Sequence, residues 1–199
     1  MASAGPRSIC ILFFALLTLT ACGGGKDKPD PSQVPATKPA PAEDPAKVHW
    51  TYEPEVLELK VYSKKDLNSY NDHAHATRLC IYQLRKPSDF KQLAASKSGV
   101  KKLLQCKSFA SSVVDFEKHY IQPGQDVSLT LDRAENAKHV GLVAGYYDLN
   151  PKNVSRLYDI PLHKEKEGHL WWSKELYTPG KLTMKVLFDT HGMQRVGEK

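Results

Sequence analysis

The sequence has no apolar run long enough to cross a membrane as a helix. Its N-terminal run, ICILFFALL at residues 9–17, has nine residues, whereas a bilayer span needs about 20. Acidic residues are absent from the first 25 positions, and Arg7 is the one charge there. A short apolar run behind a positive residue is typical of a secretory signal peptide. We therefore assign residues 1–21 to a signal peptide.

Recognisable catalytic motifs are also absent. The chain has no GxSxG, HExxH, Walker loop or CxxC sequence, so we predict no enzyme activity. His73 and His75, beside Asp72, are two residues apart on an expected loop, and no third or fourth ligand can be identified. We predict no metal and no cofactor.

The charge is basic but dispersed. The formal net charge is +6 and the isoelectric point is about 9.0, yet the densest lysine clusters are pairs, Lys64-Lys65 and Lys101-Lys102. Scattered lysines indicate a solvated surface. No zinc-finger, helix-turn-helix or RNP-like spacing occurs, so nucleic acid is not an expected partner.

Cysteine is scarce, with four in the chain, and Cys22 directly follows the signal peptide. The order Leu19-Thr20-Ala21-Cys22 resembles the bacterial lipobox. That resemblance implies a diacylglyceryl group on the Cys22 thiol, cleavage before Cys22, and an acyl chain on the new amine. Two or more chains anchor a protein stably. Gly23 in place of Asp favours the outer membrane, by resemblance to enterobacterial sorting rules.

The segment after Cys22 lacks aromatic residues. Residues 23–47 contain six of the thirteen prolines and cannot bury a core. We therefore assign residues 22–47 to a lipidated cysteine followed by a disordered tether, and residues 48–199 to the folded domain.

The folded domain shows strand-like alternation separated by Pro, Gly and Asn turns. This pattern predicts an antiparallel β-sandwich. The expected strands cover residues 56–64, 77–85, 112–122, 126–132 and 139–148, with weaker runs at 155–163, 169–173 and 182–189.

One interval has helical spacing instead. In residues 87–106 the apolar side chains recur every three or four positions, as in Phe90 and Leu93. We predict two short helices inserted between the second and third strands, with Ser98 capping the second. Cys80 precedes this insert and Cys106 ends it. In an oxidising periplasm they can form a disulfide, and the alternative is two buried free thiols.

Several phrases occur in the order found in a known family. LCIYQLRKPSDFKQL, IQPGQDVSLTLD and AKHVGLVAGYYDLN resemble phrases of the type VI secretion lipoproteins called TssJ, SciN or VasD. The resemblance, over residues 55–163, implies a transthyretin-like antiparallel β-sandwich on the periplasmic face of the outer membrane. It also implies binding to the periplasmic C-terminal region of TssM, in a complex that includes TssL.

In that family the loop between the first two strands contacts TssM. Here it covers residues 63–76, and an ordered loop of this length is usually functional. The alternative is a flexible, solvated connection. The residues predicted to bind the partner are Lys64, Lys65, Asp66, Leu67, Asn68, Ser69, Tyr70, Asn71, Asp72 and His73, with Leu67 as an apolar anchor and Tyr70 as an amphipathic ring.

A second function remains open. Transthyretin-like sandwiches can bind a small ligand or carbohydrate, so a periplasmic lipoprotein with a carrier role is the alternative. We expect one ring of Trp171-Trp172 in the core and the other at the surface.

Overall fold

The computed structural model describes residues 39–169 and 171–197. The predicted signal peptide, Cys22 and most of the tether lie outside these residues. The helices are α1 (Ser88–Ala94), α2 (Lys97–Leu103) and α3 (Pro151–Val154). The strands are β1 (Glu53–Ser63), β2 (Thr77–Leu84), β3 (Val113–Ile121), β4 (Val127–Arg133), β5 (His139–Ala144), β6 (Ser155–Asp159), β7 (Leu162–Glu167), β8 (Lys174–Pro179), β9 (Leu182–Phe188) and β10 (Met193–Arg195).

Two four-stranded sheets enclose the core. One has the order β10-β9-β1-β4 and the other β3-β2-β5-β6. Alternate residues of β1, including Leu57, Leu59 and Val61, are buried with Leu79 and Ile81 of β2, as the strand period of two requires. The predicted mainly β sandwich is confirmed. One pair departs from the antiparallel expectation, because β1 and β9 run parallel.

The helical insert between β2 and β3 is also confirmed. Phe90 of α1 is buried and packs on Gly141 of β5, where a Cβ atom would lie 2.5 Å from the ring. The cap of α2 is Ser96, whose hydroxyl accepts a hydrogen bond from Gly99 N at 3.1 Å. The prediction of Ser98 was wrong, since the helix already includes that residue.

A disulfide attaches the insert to the sheet. Cys80 of β2 and Cys106, just after α2, are bonded, and their Cα atoms are 5.3 Å apart. The Tyr82 hydroxyl donates to Leu103 O, and Arg78 Nη1 donates to Leu104 O at 3.0 Å. The end of α2 is thus held to β2 by covalent and polar contacts.

Some residues before the predicted domain boundary at residue 48 take part in the fold. Ala42 forms a β-bridge with Tyr177 of β8, and residues Pro45–Lys47 form a 3-10 helix capped by the Asp44 side chain. Backbone pairing at a free strand edge needs no apolar side chain, which is why a Pro-rich composition did not reveal it.

Strands β7 and β8 form a separate two-stranded hairpin. The described residues of the range 169–173 do not form the predicted strand, because Trp172 N donates to His169 O at 2.7 Å in the connecting turn. The expectation of one buried indole is wrong as well. Trp171 and Trp172 are 90% and 82% exposed, since a turn at the tip of a hairpin has no core beneath it.

Candidate partner-binding site

Three loops meet at one end of the sandwich. Because β1 and β9 are parallel, the loop after β1 (residues 64–76) and the loop after β9 (residues 189–192) leave the sheet at the same end. The loop after β5 (residues 145–150) joins them through the Asn68 side chain, whose Oδ1 accepts a hydrogen bond from Tyr147 N at 2.8 Å. We call the surface of these loops the loop face.

Backbone hydrogen bonds fix the 64–76 loop against its neighbours. Lys64 N donates to Phe188 O at 3.0 Å, and Asn68 N donates to Asp189 O at 3.3 Å. Within the loop, His75 N donates to Leu67 O at 3.0 Å. The loop is therefore built into the domain and offers defined side-chain positions.

Two of the predicted partner-binding residues lie inside the protein. Leu67 is 0% exposed and belongs to the hydrophobic core, so its prediction as a surface anchor was wrong. Asn68 is buried too, with a φ of 48°, a left-handed conformation that Asn tolerates well. Both residues hold the loop in place, so any contacts with a partner must come from the exposed residues beside them.

The other eight predicted residues lie at the surface. Ser69 is half-buried, and seven are exposed: Lys64, Lys65, Asp66, Tyr70, Asn71, Asp72 and His73.

A tight turn presents the tip of the loop. Tyr70 and His73 exchange backbone hydrogen bonds at 2.9 and 3.1 Å. The two residues between them, Asn71 and Asp72, have φ values of 50° and 62°, the arrangement of a type I′ turn. Asn and Asp favour this turn because they adopt positive φ at low cost.

Aromatic rings form the centre of the loop face. Tyr70 stacks on Tyr147, with ring centroids 4.6 Å apart and planes 14° apart. The His75 ring meets the same Tyr147 ring edge-on at 4.9 Å. Tyr70 and Tyr147 are nevertheless 52% and 56% exposed. They therefore support each other while leaving a broad amphipathic surface open to solvent.

Tyr147 was not among the predicted residues. It follows Tyr146, which is buried, is stacked with Phe188 at 6.2 Å, and donates its hydroxyl hydrogen to Gly192 O at 2.8 Å. Burial raises the pKa of the Tyr146 hydroxyl. In the predicted strand at 139–148 consecutive side chains would point in opposite directions, so the Tyr-Tyr pair could have signalled one inward and one outward ring; in the structure both tyrosines lie in the loop after β5.

Charged groups surround the aromatic centre. Lys64, Lys65 and Asp66 are exposed, and Asp66 Oδ2 accepts a hydrogen bond from the Thr190 hydroxyl at 2.6 Å. This hydrogen bond lowers the pKa of the Asp66 carboxyl. The loop face thus has the apolar centre and polar rim that protein interfaces have.

Tyr147 lines two surface grooves. One, with a cavity volume of about 680 Å³, runs between His75, Arg78 and Tyr120. The other, of about 550 Å³, lies between Tyr70, Thr190 and His191, among others. Side chains of a bound polypeptide could enter either groove.

Within residues 39–169 and 171–197, no group of three or more His, Cys, Asp or Glu is arranged to hold a metal ion. In the same part of the chain, no helix has both the length and the apolar character of a membrane span.

The fold defines a class of protein: a β-sandwich with a helical insert between its second and third strands. Residues 55–189 match the family model described as "Type VI secretion lipoprotein, VasD, EvfM, TssJ". The chain belongs to this type VI secretion lipoprotein family. A search of curated proteins gives no match.

Solved structures support the same fold. The chain is similar to Serratia marcescens Lip, "a membrane bound component of the Type VI Secretion System", with 19% identity and a TM-score of 0.54 over 72% of this chain and 98% of that chain. It is similar to the lipoprotein TssJ1 from Pseudomonas aeruginosa, with 16% identity and a TM-score of 0.52 over 75% of this chain and 97% of that one.

A further similar chain comes from a structure titled "T6SS protein TssM C-terminal domain (869-1107) from EAEC". The identity is 14% and the TM-score is 0.50, over 71% of this chain and 98% of that chain. At such identities these similarities concern the fold alone.

Proposed function

We propose that this lipoprotein is a subunit of the type VI secretion membrane complex whose loop face binds the periplasmic C-terminal region of TssM, with TssL in the same complex. Acyl chains on Cys22 anchor it to the periplasmic face of the outer membrane, and it has no catalytic activity. Family membership supports this proposal. The observation that carries the partner site is the exposed, stacked pair Tyr70 and Tyr147.

The tyrosine pair suits a protein partner for energetic reasons. Association costs free energy for each side chain that becomes ordered. Here the stacking of Tyr70 on Tyr147 and the type I′ turn beneath Tyr70 fix the rings before binding. Preorganised aromatic side chains are the residues that most often dominate interface affinity.

The surrounding charges contribute to the rate at which the partner associates and to the alignment of the two surfaces. Lys64, Lys65 and Asp72 lie at the exposed rim, where charges change the association rate more than the final affinity. We therefore expect substitutions of these residues to alter the salt dependence of the association rate.

Binding measurements on the acylated chain in detergent test the site. Tyr70→Ala and Tyr147→Ala should each weaken binding to the purified TssM periplasmic region by at least about 30-fold, the effect of losing about 2 kcal/mol at an interface hot spot. Trp171→Ala is the matched control, because it removes an even more exposed aromatic ring from the β7–β8 hairpin. Equal affinities for wild type and both tyrosine variants would contradict the assignment.

Membrane anchoring has its own test. Cys22→Ser removes the acceptor of the acyl chains, so the variant should be absent from the outer-membrane fraction while its domain stays folded. Retention of Cys22→Ser in the outer membrane would contradict anchoring by acylation.

A further inference from the structure

The tip of the β7–β8 hairpin exposes two indole rings. Trp171 and Trp172, at 90% and 82% exposed, are the most exposed of the large apolar side chains that the structure describes. Exposing both rings to water is unfavourable. Indoles do, however, favour the interface between lipid headgroups and acyl chains, where the ring is buried and its N–H remains hydrogen-bonded.

The turn that carries the indoles is defined. Gly168 has a φ of 119°, and a Cβ atom at this position would lie 2.0 Å from Trp172 O. Trp172 N donates to His169 O at 2.7 Å. The turn therefore requires glycine at position 168, and it holds the two rings at the end of the hairpin.

The charges of the hairpin lie behind its tip. Lys164 Nζ contacts Glu175 Oε1 at 2.6 Å across the two strands. Residues 169–173, His-Leu-Trp-Trp-Ser, contain no Asp, Glu, Lys or Arg. The tip can therefore enter the interfacial layer of a membrane without burying a fixed charge, while the strands remain in water.

The N-terminal chain enters the domain on this same hairpin. Ala42 N donates to Tyr177 O at 3.0 Å, and Tyr177 N donates back to Ala42 O at 2.8 Å. Lys174 Nζ contacts Glu43 Oε1 at 2.6 Å. Sixteen residues separate Cys22 from Pro39, and in an extended conformation they span at most about 50 Å. An acylated Cys22 therefore limits the distance between hairpin and bilayer.

The base of the hairpin and the loop face lie at opposite ends of β9. At the base of the hairpin, Leu162 pairs with Pro179. From Pro179 the chain continues into β9, which begins at Leu182. Strand β9 then runs about 23 Å to the 189–192 loop of the loop face. The base of the hairpin is therefore one strand length away from the loop face.

We propose that Trp171 and Trp172 insert into the interfacial layer of a phospholipid membrane as a second contact beside the acyl anchor. The inference goes beyond the proposed function and rests on its anchoring step, since the acyl chains bring the hairpin to the bilayer. The lipid gives the domain a fixed orientation, with the hairpin at the membrane and the loop face away from it.

Tryptophan fluorescence of the acylated full chain tests this insertion. The chain is reconstituted into vesicles of phosphatidylethanolamine and phosphatidylglycerol, with or without brominated phosphatidylcholine, which quenches indoles near the acyl chains. Three forms are compared: wild type, Trp171→Ala/Trp172→Ala and Trp50→Phe. Trp50 is the third tryptophan of the chain, and the Arg133 and Lys138 cations lie 5.8 and 5.9 Å from its ring centroid. Because no other tryptophan remains, Trp50→Phe leaves the hairpin rings as the sole indole reporters.

Wild type and Trp50→Phe should show quenching by the brominated lipid, and Trp171→Ala/Trp172→Ala should lose it. Flotation of the vesicles reports the acyl anchor separately, so a floating protein without quenching overturns the inference and leaves the anchor intact. Quenching that persists in the double alanine variant also overturns it. So does hairpin emission that changes only when the TssM periplasmic region is added, because the rings would then contact protein.

Discussion

Replacing both bridged cysteines tests how the helical insert is held. In Cys80→Ala/Cys106→Ala the covalent link between β2 and the end of α2 is lost, while the side chains that pack the insert remain. Among them are Phe90, Val100 and Leu103, which belong to the buried core of the native chain. We therefore expect the variant to fold to the same structure and to lose stability.

The size of the loss follows from the loop that the disulfide closes. The cysteines are 26 residues apart. In the chain-entropy account, cross-linking a loop of this length removes enough entropy from the unfolded chain to contribute about 3.5 kcal/mol at 25 °C. For a domain of this size, such a change lowers the melting temperature by about 7–14 °C.

Urea unfolding of the oxidised wild type and the double alanine variant measures this free energy, and thermal unfolding gives the melting temperatures. Wild type unfolded under reductant is the control, because it loses the cross-link but keeps both sulfur atoms. A loss below about 1 kcal/mol in both comparisons would refute an entropic role of this size. Complete alkylation of Cys80 and Cys106 in unreduced, denatured wild type would refute the bond itself.

Three further predictions concern single side chains. Gly141→Ala places a methyl group against the buried Phe90 ring and should destabilise the domain by about 1–3 kcal/mol in urea unfolding. Adding Phe90→Leu to the same chain should recover part of this loss. No recovery would contradict the contact between Phe90 and Gly141. Leu67→Ala should cost about 2–5 kcal/mol of unfolding free energy, as expected for a core leucine, and an unchanged stability would contradict its burial. The hydrogen bond from Thr190 lowers the pKa of the Asp66 carboxyl. The stability that this hydrogen bond contributes is therefore present at neutral pH and disappears as the pH falls through the folded-state pKa of Asp66. Thr190→Val should raise the pKa of Asp66 in a carbon-13 NMR titration, and an unchanged pKa would contradict this cause.

Strand alternation and helical spacing predicted most of the sandwich because they are local properties of the chain. The predicted strand at 126–132 corresponds to β4, Val127–Arg133, and the interval 87–106 contains both α1 and α2. The parallel pairing of β1 with β9 was beyond such reasoning. This pairing joins residues more than a hundred positions apart. The sequence of each strand does not indicate which other strand lies beside it.

The loop after β1 (residues 64–76) shows where a local pattern is ambiguous. Leu67 is one apolar residue in a polar stretch, and such a residue can anchor a partner or fill the core of its own domain. Leu67 is fully buried and therefore fills the core. Tyr147 joined the site only through the fold, because it stacks on Tyr70 from a loop 77 residues later in the chain.

At the hairpin the error is the opposite one, because an exposed ring was predicted to be buried. The apolar composition around Trp171 and Trp172 indicated a strand with one buried ring, yet the strand begins at Lys174. Aromatic residues favour strands and cores on average, and a sequence pattern cannot distinguish a core position from an exposed surface that binds another molecule.

Site-specific photo-crosslinking in cells tests the central claim, binding of TssM by the loop face, most directly. With a photoreactive phenylalanine analogue at position 70, irradiation should yield an adduct of this chain with TssM. The same analogue at position 172, on the distant hairpin, should yield none. A TssM adduct from position 172 and none from position 70 would contradict the proposed orientation and the proposed site.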